Sequence, residues 1–258
     1  MRKGIMRTMT VTVLIALVLV SAMAVSAKPA TAVLCQKMFI PAYFYPGSLW
    51  DQATAGAPVV DVMIMNPASG PGTSQDSNYV TAVQNARDAG INVIGYVHTT
   101  YGQRNIDTVK GEVDTYLGWY NISGIFFDEV NSSAAGIPYY QNVSDYVKAT
   151  AAPYVALNPG VVPDQGYINI SDTTVIFENT YAVYKTWSPP SWVNEYAASK
   201  FTHLVHATSG TNNMKKAIAS SKSRNAGNVY VTNDVLPNPW DILPSYWSTE
   251  LTQINNGC

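Results

Sequence analysis

Eight short apolar runs recur along the chain, at 38–45, 59–66, 91–98, 124–128, 154–158, 174–178, 201–207 and 229–233. Between them lie stretches with apolar residues at helical spacing, at 78–89, 106–119, 139–151, 192–199 and 211–221, and a last one at 246–256. The segments after the first and fifth runs are weak as helices. Runs such as Ile-Asn-Val-Ile-Gly-Tyr-Val at 91–97 are continuously apolar rather than alternating, which marks strands of a parallel sheet covered on both faces. Eight strand-helix units predict an α/β fold, a single (β/α)8 TIM barrel, and a chain of 258 residues has room for one.

The two cysteines sharpen that choice. Cys35 precedes the first strand and Cys258 is the last residue. A Cys35–Cys258 disulfide would tie the two ends of the domain together, as a closed barrel permits and an open sheet does not require. Export is the setting in which such a bond forms. Arg2, Lys3 and Arg7 precede an apolar stretch from Val11 to Val20 and then the small residues Ser21 to Ala27, the layout of a secretory signal peptide. The expected division is 1–27 signal peptide and 28–258 barrel, acting as a secreted monomer with no membrane attachment after cleavage.

Charge narrows the partners. Charged residues make up 12% of the chain against a typical ~25%, and the formal net charge is −2. Loss of residues 1–27 removes three basic residues and no acid, making the remainder more acidic. A nucleic-acid partner held through its phosphates has no basic surface to bind. The three histidines, His98, His203 and His206, lack metal-ligand spacing, and no dinucleotide or phosphate-loop motif occurs, so neither metal nor cofactor is expected.

Barrel enzymes carry their chemistry at the C-terminal ends of the strands. Here these ends supply Tyr43, Tyr45, Asn66, Tyr96, His98, Asp128, Glu129, Asn158, Glu178, His206 and Asn233. Asp128 and Glu129 follow Ile-Phe-Phe, and Glu178 follows Val-Ile-Phe. Neighbouring residues on a strand face opposite ways, so Asp128 and Glu129 cannot easily form one pair. If Asp128 points into the barrel mouth, its partner comes from another strand, and Glu178 lies two strands away. Glu129 stands at the rim, able to bind a substrate hydroxyl or orient a neighbour. Two convergent carboxylates among tyrosines and tryptophans suit glycosidic bond cleavage, with the aromatic and polar strand ends binding the sugar.

The segments Ile-Pro-Ala-Tyr-Phe-Tyr-Pro at 40–46, Asn-Pro-Ala-Ser-Gly-Pro-Gly at 66–72, Gly-Tyr-Val-His-Thr-Thr-Tyr-Gly at 95–102, Gly-Ile-Phe-Phe-Asp-Glu at 124–129, Leu-Asn-Pro-Gly at 157–160 and Val-Ile-Phe-Glu at 175–178 together resemble the spherulin-4 family. That family comprises secreted (β/α)8 barrels and includes fungal hydrolases of galactosaminogalactan. The resemblance implies an endo-acting α-1,4-galactosaminidase or N-acetylgalactosaminidase with a polysaccharide substrate. It carries the family's acidic cluster onto Asp128, Glu129 and Glu178. By similarity, Asp128 becomes nucleophile or electrostatic stabiliser and Glu178 general acid/base of a retaining mechanism; an N-acetyl substrate would also allow substrate assistance. The competing expectation is a non-catalytic carbohydrate-binding or spore-coat barrel, whose acids would be separated or salt-bridged.

Overall fold

The computed structural model describes Met1 and residues 35–256. The expected signal peptide and Cys258 lie outside these residues, so the signal cleavage and the Cys35–Cys258 bond rest on sequence alone. The strands are β1 (Lys37–Ala42), β2 (Val60–Met65), β3 (Asn92–His98), β4 (Gly124–Asp128), β5 (Tyr154–Leu157), β6 (Thr173–Thr180), β7 (Phe201–His206) and β8 (Asn228–Val231). Each pairs in parallel with the next, and β8 closes on β1. The fold is the expected (β/α)8 barrel.

The outer layer comprises α1 (Ser48–Thr54), α2 (Ser77–Asp88), α3 (Ile106–Trp119), α4 (Ile137–Lys148), α5 (Tyr167–Ile170), α6 (Tyr181–Tyr184), α7 (Thr211–Ser223) and α8 (Trp247–Asn255). Asp76 and Asn105 start α2 and α3 by accepting from Asn78 N and Asp107 N, each at 2.8 Å. As expected, α1 and α5 are short. The helix expected over 192–199 is instead two 3₁₀ turns, Ser191–Glu195 and Ala198–Lys200, and the α-helix after β6 is the single turn α6. Pro189 and Pro190 stop a helix from running continuously through this connection.

Side chains alternate across the strands, and this alternation positions the site. Phe39 and Phe126 meet inside the barrel with ring centroids 6.1 Å apart. Gly95 faces outward, where an added Cβ would come within 2.8 Å of the Tyr116 ring of α3, so glycine is what lets this helix lie against β3. In β6 the pairing with β7 shifts between Val175 and Phe177. Ile176 packs with Ile168, Val193 and Phe201, while Phe177 meets Tyr184, Trp187 and His203. Two consecutive residues thus face outward, and the bulge turns the next, Glu178, toward the barrel mouth. Among the described residues no helix is long and apolar enough to cross a membrane.

Candidate active site

A cavity of about 480 Å³ opens at the C-terminal end of the barrel. Tyr43, Asn66, Asp128, Glu178 and His206 line it, together with Ser69 and the segment Leu236–Trp240. At its floor Asn158 bridges the two acids. Its Nδ2 donates to Asp128 Oδ1 at 2.8 Å and to Glu178 Oε2 at 2.6 Å. Its own Oδ1 accepts from Gly160 N at 2.9 Å, which fixes the amide's orientation. Two oxygens held by one nitrogen can be no farther apart than the two bonds laid end to end. The facing carboxylate oxygens therefore lie within the ~5–5.5 Å typical of retaining glycosidases, short of the ~6.5–9.5 Å of inverting ones.

The remaining contacts separate the two acids electrostatically. Tyr96 donates to Asp128 Oδ2 at 2.8 Å. Burial pushes the Asp128 carboxyl up, while the hydrogen bonds from Tyr96, the Glu129 backbone and Asn158 pull it back. Glu178 lines the cavity. Burial and the charge of Asp128 push it up to about 7, against the hydrogen bonds from Asn158 and Trp240. One acid is thus better prepared to stay ionised and the other to hold a proton near neutrality. Burial and the two acids raise Tyr43, and Tyr96 is raised likewise, so both phenols remain donors. Burial lowers His206, whose neutral ring stands edge-on to Trp240 with centroids 6.0 Å apart.

Several residues expected at the site are placed elsewhere. The main chain leaves β1 after Ala42, so Tyr45 falls beyond the pleat; its hydroxyl donates to Asp76 Oδ2 at 2.8 Å beside α2 rather than facing the cavity. Asn233 lies beyond the end of β8, and its Oδ1 accepts from Ser245 N at 2.7 Å, bracing a loop. Glu129 does not join the acid pair: at φ +53° its carboxylate turns away, and Oε2 accepts from Thr100 N at 3.1 Å. His98 stands by it, Nδ1 3.6 Å from Glu129 Oε2, outside the cavity lining. His203 faces the outer layer, with Nδ1 2.7 Å from the Tyr184 hydroxyl.

Trp240 is the further wall residue that no strand-end pattern marks. It lines the cavity with Glu178, whose carboxyl it helps to lower, and its carbonyl accepts from Tyr43 N at 3.2 Å. A tryptophan following Leu-Pro-Asn-Pro after the last strand was the available signal, because prolines stiffen a loop that must hold an aromatic wall. Among the described residues no group of three or more His, Cys, Asp or Glu is placed to hold a metal ion.

Spherulin-4 of Physarum polycephalum is 38% identical to this chain over 234 residues, covering 85% of this chain and 70% of the relative. A crystal structure of Aspergillus clavatus Sph3 in complex with GalNAc superposes with a TM-score of 0.78 at 25% identity, covering 88% of this chain and 100% of that one. The family model for spherulation-specific family 4 matches residues 37–254. With that match spanning the whole barrel, the chain belongs to spherulation-specific family 4.

Proposed function

We propose that the protein is a glycoside hydrolase that cleaves within an α-1,4-linked galactosamine or N-acetylgalactosamine polymer. The observation that carries the reading is the Asn158 bridge, which brings Asp128 together with Glu178, the acid pushed up to about 7, at an open cavity. The GalNAc held by the Sph3 structure supports an amino sugar as substrate. In the retaining sequence, Glu178 gives its proton to the glycosidic oxygen as Asp128 attacks the anomeric carbon and the carbon–oxygen bond breaks. Glu178, now ionised, takes a proton from water, whose oxygen attacks the same carbon and releases Asp128. With an N-acetylated sugar the acetamido oxygen can attack instead, leaving Asp128 to orient the acetamido group. Tyr43, His206 and Trp240 supply the aromatic and polar walls for the ring.

The test is release of new reducing ends from purified amino-sugar polymers of defined acetylation, with neutral glucans and galactans as controls. Oligosaccharide products from an amino-sugar polymer are expected. Absence of release from all of them would favour a carbohydrate-binding barrel, although neither acid is salt-bridged as that alternative requires.

Secretion as a monomer, with residues 1–27 removed, belongs to the same reading. The Cys35–Cys258 bond within it is supported by the packing of α8 against β1 and by Lys222 Nζ, which donates to the carbonyls of Ile254 and Asn256 at 3.2 and 2.9 Å and draws the end of α8 in beside α7. Intact mass of the exported protein is expected to match a chain lacking residues 1–27 and two hydrogens lighter than its reduced form. A mass unchanged by reduction would remove the Cys35–Cys258 bond.

A further inference from the structure

The loop after β3 holds strain that the chemistry above does not use. Thr100 and Tyr101 have φ of +47° and +56°, followed by Gly102 at +80°. For a residue other than glycine this conformation costs of order 1–3 kcal/mol. It is clamped from β4. Tyr101 N donates to the Glu129 carbonyl at 2.7 Å, Thr100 N donates to Glu129 Oε2 at 3.1 Å, and the Thr99 hydroxyl bonds the carbonyls of Asp128 and Glu129 at 2.8 and 2.9 Å. Glu129 itself sits at φ +53°. Two strained turns are thus tied together directly beside Asp128.

What this arrangement holds up is Tyr101, a residue 57% exposed. Nearby tyrosines are engaged: Tyr96 with Asp128, Tyr139 with the Arg104 carbonyl, Tyr140 with Asn131 N. The Tyr101 side chain has neither a hydrogen bond nor a ring contact, so the strain is not offset by burial of the ring. An exposed aromatic face on a backbone fixed in place beside Asp128 is suited to the apolar C–H face of a sugar.

We propose that Tyr101 is a stacking platform for a further sugar ring of the bound polymer, outside the cavity, and that Glu129 is the positioning residue that holds it there. The sugar's identity rests on the glycosidase reading. The platform distinguishes a chain from a single sugar, which is what internal cleavage requires.

The test separates the two readings by measuring binding without turnover. In an Asp128→Asn background, α-1,4-linked N-acetylgalactosamine disaccharide and hexasaccharide are titrated by calorimetry. The hexasaccharide is expected to bind more tightly. Adding Tyr101→Ala is expected to weaken the hexasaccharide about tenfold and leave the disaccharide unchanged. Glu129→Ala should reproduce this pattern, and Glu129→Gln, which keeps an acceptor for Thr100 N, should restore much of the lost affinity. Tyr101→Gly should raise the melting temperature by relieving the positive φ while still weakening the hexasaccharide, an opposite movement that a misfolded variant would not show. Equal affinity for both lengths in the parent, or a Tyr101→Ala variant that keeps the length dependence or loses both sugars equally, overturns the platform. Failure of the wild-type protein to cleave any polymer overturns the glycosidase reading and leaves these binding outcomes to stand by themselves.

Discussion

Glu178→Gln and Asp128→Asn are each expected to lower kcat on an amino-sugar polymer by roughly 10²–10⁴-fold while the barrel stays folded. Gln keeps the size of Glu178 and its hydrogen bond from Asn158 but has no proton to give the glycosidic oxygen. Asn at 128 keeps contact with Tyr96 and Asn158 but cannot act as a nucleophile or offset positive charge at the anomeric carbon. The pH profile carries a separate signature. Glu178 must be protonated to act as acid, and burial with the charge of Asp128 pushes it up to about 7. In the wild type, kcat/KM should therefore fall as pH rises through about 7, and fall again at acid pH as Asp128 becomes protonated. In Glu178→Gln the alkaline limb should vanish from whatever rate remains. Rates of reducing-end release between pH 4 and 9 provide the measurement. Undiminished activity in both variants would end the assignment of the pair.

The sequence disclosed the scaffold and the two acids for one physical reason. A parallel strand buried on both faces is a continuous apolar run, so its end is conspicuous when a carboxylate follows, as at Phe127–Asp128 and Phe177–Glu178. Parity also separated Asp128 from Glu129, and the structure places them apart. Pattern fails where the main chain departs from the strand. Tyr45 lies three residues past the end of β1, and no alternation rule reaches that far. The bulge in β6 is invisible as composition, although without it Glu178 would share the wrong face with Ile176. Trp240 comes from a loop with no periodicity, and its place in the cavity wall is fixed by a bond from Tyr43 N beyond β1, far away in the sequence. Asn158 was legible as a polar strand end; its bridging of both acids needed the geometry of three strands at once.

Glu178→Gln should also make the protein more stable, by an amount that depends on pH in a defined direction. The ordinary value for this carboxyl is 4.5, and the folded protein raises it to about 7. Below the ordinary value Glu178 is protonated in both folded and unfolded chains and contributes no pH dependence. As pH rises from there to about 7, the unfolded chain ionises while the folded one retains its proton, so stability falls with pH. Above about 7 both are ionised, and the folded protein carries a constant penalty of about 3 kcal/mol, set by the difference between the two values. Glutamine does not titrate and removes that penalty. Glu250, buried and raised in the same direction, is present in both proteins and cancels from the comparison. Melting temperatures of variant and wild type should nearly coincide in their pH-dependent part near pH 4 and diverge toward pH 8. For a chain of this size each kcal/mol shifts the midpoint by about 2–4 °C, so the gain at pH 8 should be on the order of 6–12 °C. A difference independent of pH would show that Glu178 is not held protonated by the fold. A pH-dependent gain accompanied by loss of turnover would locate part of the barrel's instability in burial of the carboxyl group whose raised pKa the proposed reaction requires.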